Sequence, residues 1–533
     1  MAHSPIAGKP VVARDTAMRR KQDISLPVIF QAAAFLALLG CACLLIVRTL
    51  HWPLVGDASL MHYAVFLMQR GMAPYRDIVD INMPGSYFVA WLEMHIFGTG
   101  ALALRIFDFS LIVAAAIAMI AIARPYGWFG GFFAASLLLI LHIRDGVDQS
   151  GQRDLTAAVL LLMACAFLFH ALRGGRVWTV ALSGLCVGVA ATIKPTIIPF
   201  ELVLLAVLFA KGKPDYKPVA AQIACGTVGF LLPIAAVFLF LLQERALHAF
   251  WNTLTGLVPY HAGIGRLPAR YFVGHSIPSM LLPLAGLCVI AACARKNWRN
   301  WEMTTLWLGF AVGVISLFVQ GKGYPYHRYP AEVFLLLLAG INFTASLKKP
   351  GIARTIGIVG LGLGAFALAP ISTAKAMHYE GENQEFITSL QRDLTELGGA
   401  RLSGEVQCMD TTAGCINTLY DMRLVQDTGF LYDCYLFAPQ LSPVQTQLRL
   451  RFWAAIQRKP PEIFVVSDQL CVSGASNYAK LDRWPRLRDY LESNYDLYVQ
   501  RSPTRAVRWW SHAGRPFGYR MYVRNQEKIG ARN

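Results

Sequence analysis

Eleven apolar runs, at residues 26–50, 102–123, 128–143, 155–172, 177–193, 197–210, 219–242, 277–294, 303–319, 331–347 and 355–371, leave this chain few folds to choose from. Runs of about 15 to 25 apolar residues cross, or nearly cross, a ~30 Å hydrocarbon layer as helices, since lipid offers the backbone no other hydrogen-bond partners. Composition agrees: of 533 residues, 55% are hydrophobic and only 15% charged. The expected fold is an all-α polytopic membrane domain of about eleven transmembrane helices over residues 26–372. It follows a cytoplasmic N-terminal segment, residues 1–25, and precedes a tail, residues 373–533.

The N-terminal segment carries Arg14, Arg19, Arg20 and Lys21, and no small-residue cleavage site follows the first run, which therefore reads as a retained span with a cytoplasmic flank. If spans alternate, Arg124, Arg173, Arg176, Lys211, Lys213, Lys217, Arg295, Lys296, Arg299, Lys348, Lys349 and Arg354 all fall in short cytoplasmic connections. That holds only if "SYFVAWLEMHIFG" (residues 86–98) does not span, and a short stretch holding Glu93 and His95 suits a helix lying in the interface. An odd number of spans leaves the tail outside the cytoplasm.

The tail reads as a small extracytoplasmic α/β domain. "FITSLQRDLTEL" and "RWPRLRDYLESNY" have helical apolar spacing, whereas "PEIFVVSD", "YDLYVQR" and "YRMYVRN" read as strands. It also holds Cys408, Cys415, Cys434 and Cys471, an even set that can form two disulfides in any of three connectivities. A four-thiolate zinc site is the competing arrangement, but it lacks a C-x-x-C pair; free thiols are the third.

Basic residues also occur where topology does not need them. Arg70, Arg76, Arg105, Arg144, Arg153, Lys194, Arg245, Arg266, Arg270, Lys322 and Arg328 fall on outer connections or at outer ends of spans. Guanidinium and ammonium groups gathered there suit an anion, and phosphate best. Pairing with outer aspartates or lipid headgroups is the plainer role open to each. The net charge of +17 is spread over both faces of the membrane domain without a single basic module, which excludes nucleic acid as a partner.

Three outer connections carry the polar chemistry. The first, about fifty residues long where unstructured loops of such length are uncommon, contains Asp57, Asp77 and Asp80. The second, "RDGVDQSGQRD", supplies Asp148, Arg153 and Asp154, and the third, "QGKGYPYHRYP", supplies Lys322, Tyr324, Tyr326, His327 and Arg328. A carboxylate at the lipid edge can act as general base. Asp57 is placed to do so, anchored at the end of a span behind a glycine; capping the helix "ASLMHYAVFLM" or pairing with an outer arginine are the alternatives.

"GD" after the first run, "PYRD", a Pro-turn into a helix with tryptophan, "LRIFD", "GQRDL" and "YHRYP" together resemble the polytopic glycosyltransferases of the GT-C fold, which include protein O-mannosyltransferases and the aminoarabinose transferase of lipid A. The resemblance covers roughly residues 26–372. It implies a hexosyl- or pentosyltransferase that moves a sugar from a polyprenyl phosphate to an envelope lipid, glycan or protein, with inversion. The site would face outward from a bacterial inner membrane, in contact with its lipids. It implies Asp57 as base; Ala58 stands where many relatives carry a second acid, so Asp77 or Asp80 would supply that carboxylate. Arg328, Lys322, Arg153, Arg105 and Lys194 would hold the donor phosphate, and Asp148, Asp154, Tyr324, Tyr326 and His327 the sugar and acceptor. No cofactor is needed. A divalent ion bridging Asp57, Asp148 and Asp154 is an option that the surrounding cations could replace. A carrier of lipid-linked sugar or anion is the other class open, but carriers place polar groups at mid-membrane and show repeated halves, and no repeat occurs here.

Overall fold

Every residue of the helix Tyr329–Ser346 is buried, and the membrane-type helices pack around it. The structure, a computed structural model, describes residues 26–211, 216–295, 300–378, 384–439, 441–471, 477–504 and 516–525. The basic segment 1–25 and Lys213, Lys296 and Arg299 lie outside the described residues.

All eleven apolar runs are helical over most of their length. Among the described residues, seven helices are long and apolar enough to span, or eight if Ala269–Ser276 and Leu281–Arg295, which meet at 92°, make one span. Runs 128–143 and 177–193 form helices of 17 and 16 residues, and run 197–210 a short 3-10 turn followed by the 13-residue helix Pro199–Lys211. At 1.5 Å per residue such helices reach only about 20–25 Å. The expected count of eleven spans is therefore not established by helix length.

Close packing rests on glycine. A Cβ on Gly340 would lie 2.0 Å from the carbonyl oxygen of Gly130, so Tyr329–Ser346 and Trp128–Arg144 cross backbone to backbone. Trp178–Ile193 and Tyr216–Gln243 cross in the same way, where a Cβ on Gly184 would lie 2.0 Å from the Gly226 oxygen. Small residues at such crossings are what membrane helices use to gain van der Waals contact where lipid supplies no hydrophobic drive.

The first long loop is a structured platform. Its helix Gly56–Met68 buries all of residues 58–67, which explains why its sequence is apolar on every side. The 13-residue helix Pro84–Ile96 leaves Phe88, Trp91, Leu92 and Ile96 exposed on one face. Its Glu93 turns inward and meets His62 at 2.9 Å. An apolar exposed face on so short a helix is the pattern of an interfacial helix.

The tail forms a four-stranded sheet, β1 (Val406–Met409), β2 (Ile463–Ser467), β3 (Tyr495–Arg501) and β4 (Tyr519–Arg524), in the order β1-β2-β4-β3. Only β1 and β2 are parallel. All five residues of β2 are buried, as its unbroken apolar run requires of a strand covered on both faces. The platform and the tail share one core. Ser59 donates to Asn417 Oδ1 at 2.8 Å, Asn417 Nδ2 to the Leu54 carbonyl at 3.1 Å, and the Val79 amide to the Gly429 carbonyl at 2.8 Å.

The structure joins Cys408 to Cys415 and Cys434 to Cys471. Alkylation of denatured, unreduced protein should therefore spare these four and modify the other seven, Cys41, Cys43, Cys165, Cys186, Cys225, Cys288 and Cys293. Modification of any tail cysteine at full yield would refute its pairing.

Candidate active site

Helix Gly56–Met68 begins in a conformation that only glycine adopts cheaply: Gly56 has φ 59°, and a Cβ there would stand 3.0 Å from Asp148 Oδ1. The glycine thus brings the start of this helix against the turn Val147–Gln149 of the second loop. Asp57 follows in the first helical turn, where the helix dipole favours a carboxylate. It does not cap the helix, for Val55 holds the cap position with no side-chain bond.

Three side chains hold Asp57. Arg153 Nη2 donates to Oδ2 at 3.1 Å, Gln152 Nε2 to the same oxygen at 3.4 Å, and the Tyr432 hydroxyl to Oδ1 at 3.2 Å. Arg153 and Gln152 stand at the start of the helix Arg153–Leu172, whereas Tyr432 comes from the tail. Asp148 is different: among the described residues its carboxylate has no hydrogen-bond or ion-pair partner, and the side chain reaches solvent. Protein encloses its remaining sides, and that burial, with the like charge of Asp57, pushes the carboxyl up to about 6.

A cationic wall faces these acids. Buried Lys194 forms an ion pair with Asp154, and its charge acts on neighbouring Arg153. Lys322 donates to the Nε2 and, at 2.9 Å, to the carbonyl of His261. Burial pushes Lys322 down to about 8, while burial and the Lys322 charge push His261 down to about 3, so this imidazole is neutral and accepts from the ammonium. The charges of Lys194, Lys322 and Arg153 all bear on His327. Among the described residues, Nδ1 of buried His327 and Nη1 of Arg153 have no hydrogen-bond partner. Tyr324 stacks on Tyr326 at 5.4 Å, and Tyr326 meets the His327 ring edge-on at 4.7 Å.

Of the residues expected at the site, the structure brings together Asp57, Asp148, Arg153, Asp154, Lys194, Lys322, Tyr324, Tyr326 and His327. Asp80 lies just beneath: wholly buried, it accepts from Tyr87 Oη and Asn82 Nδ2, both at 2.8 Å, and its charge reaches Arg153 and Tyr432. Asp77 closes its own turn, accepting from the Ala73 amide at 2.8 Å and from Arg76. Two expected phosphate ligands point into the helix core instead. Arg328 is 2% exposed and bound to Glu332, Asp145 and two carbonyls. Arg105, also buried, lies 3.9 Å from Asp108 and 5.5 Å from the Trp52 ring. His261, Gln152, Tyr432 and Tyr435, the last edge-on to His261 at 5.8 Å and within reach of the Asp57 and Arg153 charges, were not expected. The "YDCYLF" tyrosines flank Cys434, whose disulfide fixes them, and that cysteine was the one signal available.

The donor set does not fit a divalent ion. Arg153 engages Asp57 and Lys194 engages Asp154, and among the described residues no three His, Cys, Asp or Glu side chains are grouped to hold a metal.

Residues 82–240 match the family described as dolichyl-phosphate-mannose-protein mannosyltransferase. ArnT from Cupriavidus metallidurans bound to undecaprenyl phosphate superimposes with a TM-score of 0.58 at 14% identity, covering 92% of this chain and 98% of that one. The Archaeoglobus fulgidus oligosaccharyltransferase in the apo form gives 0.52 at 10% identity, covering 95% of this chain and 75% of that one. No curated protein sequence matches the chain. The fold is that of the GT-C glycosyltransferases, an integral membrane architecture shared with these structures over more than nine-tenths of this chain.

Proposed function

We propose that this protein, built on the GT-C fold, is a membrane glycosyltransferase that takes a sugar from a polyprenyl phosphate and transfers it, with inversion, to a hydroxyl of an envelope lipid, glycan or protein. The observation that carries this reading is the convergence of Arg153, Lys194, Lys322 and His327 opposite the Asp57–Asp148 pair, at the ends of membrane-type helices. A phosphate held there gains negative charge as the glycosidic bond breaks, and fixed cations in a water-poor site stabilise that charge. The acceptor oxygen attacks the opposite side of the anomeric carbon while a carboxylate takes its proton. Tyr324 and Tyr326 offer a stacked aromatic face to a sugar ring. The undecaprenyl phosphate bound by the structurally similar ArnT supports a lipid donor. We place the site and the tail on the extracytoplasmic side, which the two tail disulfides favour.

The test is consumption of a defined donor. Purified protein mixed with undecaprenyl-phosphate hexoses and pentoses and an extract of its own membranes should release undecaprenyl phosphate and label one extract component with the inverted anomer. Turnover with nucleotide sugars alone would refute the lipid donor.

A further inference from the structure

The Asp57–Asp148 pair contains two carboxylates in unlike surroundings, and the transfer needs one base. We propose that Asp148 accepts the acceptor's proton and that Asp57 is a positioning residue; this rests on the glycosyl-transfer reading above.

Asp57 has both oxygens occupied, one by Tyr432 and the other by Arg153 and Gln152. An acceptor hydroxyl could reach an Asp57 oxygen only by displacing one of these donors, and Arg153, a permanent cation, is the one that holds it by charge. Asp148 carries no such load. Its oxygens are free among the described residues, it reaches solvent, and it lies against the backbone of Gly56, one residue from Asp57. The titratable and charged groups facing it are Asp57 on helix Gly56–Met68 and Tyr326 before helix Tyr329–Ser346, with Arg153 behind Asp57 on helix Arg153–Leu172. Enclosure and the Asp57 charge set its carboxyl at about 6, suited to a base that works near neutral pH.

The step balances. The acceptor O–H bond breaks and its proton passes to an Asp148 oxygen; the acceptor oxygen bonds to the anomeric carbon. The bond from that carbon to the phosphate oxygen breaks, leaving its electron pair on the phosphate beside Arg153, Lys194 and Lys322. Asp148 then returns the proton to water on its open side.

The experiment is the pH dependence of kcat/KM for wild type, Asp148→Asn and Asp57→Asn, with the undecaprenyl-phosphate sugar that wild type consumes. Wild type should lose activity as pH falls through about 6. Asp148→Asn should turn over ~100-fold more slowly or worse, lack that limb, and still bind undecaprenyl phosphate. Asp57→Asn should keep the limb but shift it to lower pH, because the like charge that raises Asp148 is gone. Turnover by Asp148→Asn within threefold of wild type, or loss of the limb in Asp57→Asn alone, would overturn the assignment. If wild type consumes no lipid-linked sugar, the transfer reading itself fails.

Discussion

Replacing Arg328 with glutamine is expected to cost the protein its fold, with loss of donor binding only as a consequence. The guanidinium sits in the core, donating to Glu332 at 2.7 Å and to the carbonyls of Ser276 and Leu141 at 2.9 and 3.3 Å, and forming an ion pair with Asp145 at 2.8 Å. These bonds tie the bent helix pair, the end of Trp128–Arg144 and the central helix together. Glutamine leaves Glu332 buried without its cation, and removing one partner of a buried pair costs about 3–5 kcal/mol, a large part of a typical 5–15 kcal/mol stability. Asp145 is cushioned by Arg144 at 2.8 Å and Lys375 at 3.2 Å, so Glu332 is the carboxylate that suffers. The double change Arg328→Gln, Glu332→Gln should therefore recover much of the loss. The readout is the melting of detergent-solubilised protein by size exclusion after heating. A single variant that melts like wild type yet no longer binds undecaprenyl phosphate would return Arg328 to the phosphate site.

The positions of Arg328 and His327 mark the limit of what the sequence revealed. "YHRYP" placed a basic pair at the end of an apolar run, and both residues stand at the start of the helix Tyr329–Ser346. They lie in the 3-10 turn Pro325–Arg328, however, where successive residues project about 120° apart, so His327 faces the cationic wall while Arg328 faces the core. Arg105 met the same fate, because the end of a helix has a buried side as well as an open one. Helices themselves were legible, since each apolar run had to satisfy its own backbone in lipid. Their number as spans was not, because some runs make helices too short to decide by length. Least visible was Tyr432, which reaches Asp57 across 375 residues of sequence. The long first loop reads as a carrier of acidic residues for the site; that it also carries the tail, whose Tyr432 reaches Asp57, was not legible.

Arg153→Gln is expected to lower turnover by at least ~100-fold, the order of effect seen when one preorganised donor is removed from a developing anion. Arg153 serves two masters. One amino group binds Asp57 at 3.1 Å, while the other, Nη1, is buried and among the described residues has no partner, so that a phosphate oxygen would complete it. Glutamine gives up both, so undecaprenyl phosphate should bind more weakly as well. Arg153→Lys restores the charge, but a single ammonium lacks the fork that reaches both acceptors; its turnover should fall between the two. The pH profile supplies a sign that simple loss of packing cannot imitate. Without the guanidinium, nothing offsets the Asp57 charge that raises the Asp148 carboxyl, so the acidic limb of kcat/KM should move to higher pH. That is opposite to the shift expected for Asp57→Asn. Residual activity of the purified variant, followed across pH with the same undecaprenyl-phosphate sugar, measures both quantities. Wild-type affinity together with an unmoved limb would show that Arg153 touches neither the phosphate nor the carboxylate that reacts.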